Sequence, residues 1–127
     1  MELNAYFEST KGRGILATAD KTGKVNLAMY ARPYFVDENT VTFIMAERLT
    51  HQNLKSNPWA SYLFTAEEWK YQGKRLYLKK IKEEGNPELI EQICRKCDYS
   101  HYGTGRRYVV YFNIEKVLPL IGSGDST

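Results

Sequence analysis

Residues 41–65 read VTFIMAERLTHQNLKSNPWASYLFT, a segment with an apolar run at each end and a polar run between them. Its first part, residues 41–46, is a short apolar run that predicts a buried strand. Thr50 is a preferred residue for the start of a helix, and Pro58 ends that helix because the residue before a proline avoids the α region. Residues 59–65 alternate loosely and predict another strand. We therefore expect a strand–helix–strand unit here.

The chain on both sides of this unit predicts short strands joined by tight turns. Residues 14–19 and 25–36 form an expected hairpin, in which Pro33 requires an edge position or a bulge. Residues 74–82 and 107–114 predict two further strands. With the two strands of the central unit these make six, and short strands of this kind favour a closed or nearly closed barrel.

Two further helices are expected outside the central unit. Residues 2–10 place Leu3 and Phe7 on one face of a short amphipathic helix. Asn86 followed by Pro87 is a strong helix start, because it supplies a cap and then a proline at the first helical position. We expect these helices to cover the open ends of the barrel.

Length and charge limit the class of protein. The 127 residues predict a single domain over 1–121, followed by a flexible polar tail at 122–127. The formal net charge of +3 is too mild for a nucleic-acid binder. The start MELNAYFEST lacks the pattern of a signal peptide, and no apolar run approaches the ~20 residues of a membrane span. We expect a soluble, cytoplasmic protein with no membrane and no nucleic-acid partner.

The turn that enters the central helix is chemically suited to a phosphate group. A helix N-terminus offers unpaired backbone N–H groups and the positive end of the helix dipole. Arg48 adds a planar cation that fits phosphate oxygens, and Thr50 adds a hydroxyl that can donate to one. The alternative interpretation is an ordinary capped helix with a surface arginine.

Three segments carry a resemblance that runs from about residue 7 to residue 118. They are GILATADKTGKVNLAMYARPYFV, RLTHQNLKSNPWASYLF and VYFNIEKVLPL. In order and spacing the chain resembles the FMN-binding split-barrel family, which includes pyridoxamine 5′-phosphate oxidase and small FMN-binding flavoproteins. The resemblance implies a mainly β fold (β-rich α+β), a six-stranded antiparallel split β-barrel with short flanking helices. It also implies FMN as the cofactor.

The resemblance assigns family positions to residues of this chain. The strand at 29–32 would lie along the flavin ring, the end of the strand at 45–46 would line the site, and the turn at 48–50 would hold the phosphate. The positions that it implies for cofactor binding are Met29, Tyr30, Ala31, Arg32, Met45, Ala46, Arg48, Leu49, Thr50 and Asn53.

One position departs from the family pattern. The oxidase usually has two adjacent basic residues at the phosphate turn, whereas here Arg48 is followed by Leu49. The phosphate contacts are therefore expected to include Thr50, backbone amides and Arg32. For Arg32 two interpretations stay open, a surface arginine or a cation that stabilises negative charge on the reduced ring.

The resemblance implies an FMN-binding flavoprotein, an oxidoreductase or an electron carrier of the pyridoxamine phosphate oxidase-like class. It leaves open whether the chain is catalytic, and it names no catalytic residue, substrate or redox partner. It also implies a homodimer with the flavin near the subunit interface. The alternative function is a non-catalytic split-barrel module that binds haem, another cofactor or a protein partner.

The remaining candidate residues have structural interpretations. Cys94, Cys97 and His101 fall short of the four ligands of a zinc site, and the cysteines are expected as buried small apolar residues, so no metal is predicted. His51 is expected to be a solvated helix residue. Glu83 is expected to be a solvated charge at a strand end.

Overall fold

The computed structural model describes residues 2–68, 71–93 and 106–122. Seven antiparallel strands and three short helices lie in these ranges, so the mainly β fold is confirmed with one strand more than expected. The elements are α1 Glu2–Ser9, β1 Gly12–Ala19, β2 Val25–Met29, β3 Tyr34–Asp37, β4 Thr40–Ala46, α2 Leu49–Ser56, β5 Trp59–Ala66, β6 Gly73–Glu84, α3 Pro87–Ile93 and β7 Arg107–Pro119.

The extra strand arises where the sequence predicted one long strand over 25–36. The structure divides this segment into β2 and β3, which pair with different neighbours. Pro33 is buried at the break. Proline has no N–H for a strand ladder and fixes its own backbone angle, so pairing stops there and the chain changes partner.

The strand order shows that the sheet curls into a barrel. The order is β2-β1-β5-β6-β7-β4-β3, so β2 and β3 lie at opposite ends of the sheet. A flat sheet would hold these strands about 29 Å apart, at about 4.8 Å for each of six spacings. The connection from Met29 to Tyr34 spans at most about 18 Å when fully extended. The sheet must therefore curl until its two edges approach each other.

Aromatic rings fill the interior of this barrel. Phe43 lies 5.0 Å from Tyr62 and 5.8 Å from Phe112, measured between ring centroids. Phe7 of α1 enters from one end and contacts Phe64 edge-on at 5.0 Å. All five rings are almost completely buried. Each ring buries a large apolar area, so this cluster stabilises the curled sheet and holds α1 against its end.

The other two helices bury side chains in different clusters. α2 contacts β1, β2 and β4, and its buried Leu54 belongs to the same cluster as the barrel rings. α3 buries Ile90 against Ile44 and Val109. The expectations for Cys94, Cys97 and His101 fall outside the described residues, as does most of the predicted tail, so they stay predictions. Within the described ranges, no helix has the length and apolar character needed to cross a membrane.

Gly73, the first residue of β6, lies where there is no space for a side chain. A Cβ atom on Gly73 would overlap the backbone carbonyl oxygen of Phe64 on the neighbouring strand. We expect Gly73→Ala to lower the free energy of unfolding by about 1–3 kcal/mol, because the two strands must separate to admit the methyl group. Urea unfolding monitored by tryptophan fluorescence measures this loss.

Gly85→Ala is the matched control for this variant. A Cβ atom on Gly85 would meet the Tyr108 ring at 3.7 Å, which is an ordinary contact. We expect its unfolding free energy to stay within about 0.5 kcal/mol of the parent protein. Equal losses in the two variants would contradict the close strand packing at Gly73.

Candidate functional site

A cavity of about 610 Å³ opens where α2 begins beside the ends of β1 and β2. Three stretches of chain form its wall: the start of β1, the end of β2 with the residues that follow it, and the turn from β4 into α2. The lining residues are Gly12, Arg13, Gly14, Ala28, Met29, Tyr30, Ala31, Ala46, Arg48, Leu49 and Thr50. The volume lies within the range of small-molecule and cofactor pockets.

The cavity brings together most of the positions that the resemblance implied for FMN. The implied residues that line it are Met29, Tyr30, Ala31, Ala46, Arg48, Leu49 and Thr50. The remaining three, Arg32, Met45 and Asn53, are not among its lining residues.

These three side chains have other surroundings. Met45 is completely buried in the barrel core. Asn53 is also buried, and its amide nitrogen donates a 3.1 Å hydrogen bond to the Thr18 hydroxyl. Arg32 lines a second, smaller cavity, with its guanidinium carbon 5.9 Å from the centroid of the Tyr34 ring. In the structure Met45 is a core packing residue, and Asn53 joins α2 to β1.

The N-terminus of α2 differs from the sequence expectation. The helix begins at Leu49 with Arg48 as its N-cap residue, so the prediction that Thr50 caps the helix is wrong. Thr50 lies instead in the first turn and is only 4% exposed. The Arg48 side chain makes no capping hydrogen bond, and the first turn, all of it described, carries no acidic residue. The positive end of the helix is therefore not neutralised by its own side chains.

Neighbouring strands hold this first turn in place. The Asn26 side-chain amide of β2 donates a 3.5 Å hydrogen bond to the Thr50 hydroxyl oxygen. Because Thr50 accepts this bond, its own hydroxyl proton stays available to a group in the cavity. The sequence singled out Thr50 for this chemistry, although it assigned the residue to a different helix position.

The β1 wall was missed by the sequence reasoning, which predicted a strand over residues 14–19 and assigned none of its residues to the site, whereas β1 begins at Gly12. A Cβ atom on Gly14 would overlap the Tyr62 hydroxyl and come within 2.5 Å of the Tyr30 carbonyl oxygen. Glycine here lets two segments approach β1 closely. The available signal was a glycine pair at the start of an apolar strand.

The cavity carries positive charge from two different elements. Arg13 of β1 and Arg48 before α2 both line it, and neither Asp nor Glu occurs among its lining residues. Within the described ranges, no carboxylate forms an ion pair with either arginine. An anion bound here would meet two guanidinium groups and the helix N-terminus without a competing carboxylate in the wall.

His51 corrects another expectation, because its side chain is 1% exposed and not solvated. Its Nε2 lies 2.9 Å from a Glu83 carboxylate oxygen, and its ring stacks on Tyr108 with centroids 4.2 Å apart. Glu83 is likewise not a free strand-end charge, since the other carboxylate oxygen accepts a 2.7 Å hydrogen bond from Lys80. This network ties the first turn of α2 to β6 and β7.

The pKa of Glu83 reflects two opposing effects. Burial raises the pKa of the carboxyl, but the hydrogen bonds from Lys80 and His51 favour its charged form and outweigh burial. The net result is a pKa below the ordinary value of 4.5. The unfolded chain therefore binds a proton here at a higher pH than the folded protein does.

This difference predicts an acid-dependent loss of stability. The contribution of Glu83 to the free energy of unfolding is complete above the pKa that Glu83 has in the unfolded chain. It is lost as the pH falls through the lower pKa that Glu83 has in the folded protein. We expect Glu83→Gln to lower the unfolding free energy by about 1–2 kcal/mol near neutral pH. The difference in unfolding free energy between the parent protein and Glu83→Gln should disappear between about pH 5 and pH 3, as measured by urea unfolding at each pH.

Glu84→Gln is the control, because Glu84 pairs with Lys82 and both side chains are more than one-third exposed. Exposed pairs contribute little, so its stability should follow the parent protein at every pH. A constant gap between parent and Glu83→Gln down to about pH 3 would contradict the role assigned to Glu83.

Comparisons with known proteins identify the fold. No protein-family model and no curated protein sequence matches this chain. Among solved structures, an FMN-binding protein from Syntrophomonas wolfei subsp. wolfei matches with a TM-score of 0.75 and 19% identity, over 94% of this chain and 84% of that one. A Lactobacillus delbrueckii protein, provisionally assigned as a pyridoxamine 5′-phosphate oxidase, matches with a TM-score of 0.68 and 15% identity, over 93% and 92%.

A third match is HutZ, the haem storage protein from Vibrio cholerae, with a TM-score of 0.64 and 16% identity over 93% of this chain and 92% of that one. At such identities the likeness shows the fold. The curled seven-stranded sheet and the matched structures agree: this chain has the split-barrel fold of the FMN-binding and pyridoxamine 5′-phosphate oxidase-like proteins, as its sequence resemblance implied.

Proposed function

We propose that the protein is a flavoprotein that binds FMN in the cavity at the start of α2 and serves as an oxidoreductase or electron carrier. The observation that carries the proposal is the composition of that cavity. One part of its wall is apolar and includes Met29 and Ala31, whereas another part carries Arg48, Thr50 and the helix N-terminus. FMN likewise joins a flat, largely apolar ring to a phosphate group.

The residues in the polar part of the wall suit the phosphate of FMN, and those in the apolar part suit its ring. Arg48 and Thr50, with the backbone N–H groups of the first helical turn, would hold the phosphate. The segment from Met29 to Ala31 would support the ring and exclude water from one side of it. Tyr30 is held by a 3.0 Å bond from its N–H to the Gly14 carbonyl, so this segment has a defined position. When bound, FMN supplies the capacity to accept and return electrons or a hydride.

The similarity to a haem storage protein gives a second candidate, a split-barrel module that binds haem. Iron in haem needs an axial side chain such as His, Cys, Met or Tyr. Among the described residues that line the cavity, only Met29 and Tyr30 are of these kinds. His51 is outside the cavity lining and lies against Glu83. A haem in this cavity would therefore take its axial ligand from Met29 or Tyr30, which makes the second candidate testable beside the first.

The FMN proposal predicts a specific role for the Thr50 hydroxyl. Purified protein mixed with FMN and then desalted should keep flavin absorption bands. We expect Thr50→Val, which keeps the side-chain shape and removes the donor, to weaken FMN binding about threefold to tenfold. Titration of flavin fluorescence measures the dissociation constant.

Thr50→Ser keeps the hydroxyl and is the matched control, so its FMN affinity should stay close to the parent value. Colourless protein that fails to take up added FMN would overturn the proposal. A haem absorption band in protein loaded with hemin, without flavin uptake, would establish the second candidate in its place.

We further propose that the protein forms a homodimer with the cavity near the interface. The outward face of β2 is apolar: Val25, Leu27 and Met29 are 76%, 68% and 65% exposed. Their ladder partners on β1 are Ala19, Ala17 and Ile15, so the apolar face continues onto the next strand. An edge strand with an apolar outward face promotes association unless it is covered.

The same face extends across β5 to β6, where Trp59 and Tyr77 are 50% and 42% exposed. Aromatic residues of this kind are enriched in protein interfaces. Met29 belongs both to this face and to the cavity wall, so the two features are continuous. A second copy is the proposed occupant, because covering this face would also cover the adjoining opening of the cavity.

The dimer proposal predicts the effect of a charge on this face. We expect Leu27→Lys to shift the molar mass in solution from about two chains to one, because a lysine cannot be buried unpaired at an apolar contact. Light scattering coupled to size exclusion measures the mass. Val36→Lys replaces another exposed apolar residue, on β3, and should leave the dimer intact. A parent protein that is monomeric at all concentrations tested would refute the proposal.

A further inference from the structure

Arg13 brings a second positive charge to the cavity from β1, and its position is well defined. In the ladder it is paired with Thr65 of β5. The next residue, Gly14, accepts the 3.0 Å hydrogen bond from the Tyr30 N–H. The backbone that carries Arg13 is thus held on both sides, in contrast to a loop that must be ordered when a ligand binds.

Arg13 is the charged residue among those of β1 that line the cavity. Gly12 and Gly14, on either side of it, also line the cavity and carry no charge. The space that a Cβ atom on either glycine would take is already filled by Phe64 or Tyr62, so the recognition of an anion from this wall depends on the Arg13 side chain. The missing second basic residue at Leu49 leaves room for such a contribution from another element.

The charges of the cavity are not balanced by the chain itself. Arg13 and Arg48 share one cavity, and within the described ranges neither is paired with a carboxylate. Both side chains are exposed, so their guanidinium groups are free to turn toward an anion that enters the cavity. A phosphate monoester carries about −1.5 to −2 charges at neutral pH, which matches two guanidinium groups.

We infer that Arg13 is a second phosphate-binding residue, and that the cavity selects the phosphorylated flavin, FMN, over riboflavin through cations from two separate elements. This inference rests on the proposed function and assigns part of its specificity to β1. The phosphate would be held between the β1 wall and the α2 turn, so the strand contributes the charge that the turn lacks at Leu49.

Paired titrations with FMN and with riboflavin test the inference, because the two ligands differ only in the phosphate. We expect Arg13→Gln to weaken FMN binding about tenfold while riboflavin affinity stays unchanged. Arg13→Lys keeps the charge but loses the planar fork, so its FMN affinity should lie between those of the parent and Arg13→Gln. Raising the salt concentration should reduce the difference in FMN affinity between the parent protein and Arg13→Gln, because salt screens the charge of Arg13.

Lys21→Gln is the charge control. Lys21 is exposed in the turn between β1 and β2, outside the cavity lining, and its loss changes the net charge by the same unit. It should leave both affinities unchanged. Equal effects of Arg13→Gln on FMN and riboflavin, or no effect on either, would overturn the inference while leaving FMN binding established.

Two other results would also count against the inference. A parent protein that binds neither flavin removes the proposed function and the inference together. A change in the molar mass of Arg13→Gln by light scattering would place Arg13 at the contact between chains, and any loss of FMN binding would then follow from that contact.

Discussion

The short connection between β2 and β3 forces the sheet to curl, and the barrel and the cavity both follow from that curl. Tyr30 fixes its start, because its N–H donates to Gly14 and its carbonyl accepts a 3.2 Å hydrogen bond from the buried Tyr62 hydroxyl. The Tyr30 ring also contacts Phe43 in the barrel interior. Burial raises the pKa of the Tyr62 phenol, so this donor keeps its proton. The same few residues therefore close the barrel and form one wall of the cavity.

The position of α2 is the second requirement for the site. Buried polar pairs hold it from three directions: Thr50 to β2, Asn53 to β1, and His51 to Glu83 of β6. Such bonds are directional, and leaving any of these groups unpaired in the interior would be costly. The helix is thus fixed in orientation, with its N-terminal turn at the cavity and its apolar Leu54 toward the core.

Hydrophobic pattern and proline position predicted the elements whose ends are set by residues within the element itself. The strand–helix–strand unit at 41–65 follows from an apolar run, a proline stop and a second alternating run, and the structure has each of these elements. Pro33 was recognised as a disturbance in a strand. Its consequence was not, because the division into β2 and β3 depends on which distant strand each half pairs with.

The sequence predicted those residues of the site that lie close together in the chain, on the turn from β4 into α2. Arg48 and Thr50 were found from the chemistry of a helix start, whereas Arg13 was not, because it joins them only when β1 lies beside α2. His51 was placed in solvent for the same reason. Its burial depends on Tyr108, which lies 57 residues further along the chain and stacks on its ring.

The most direct test of FMN binding in this cavity is an NMR titration of isotope-labelled protein with FMN, following each backbone amide. We expect the largest shift changes in three stretches, residues 12–14, 28–31 and 46–50. Changes concentrated elsewhere, for example at residues 33–36 beside the second cavity, or no changes at saturating FMN, would contradict it.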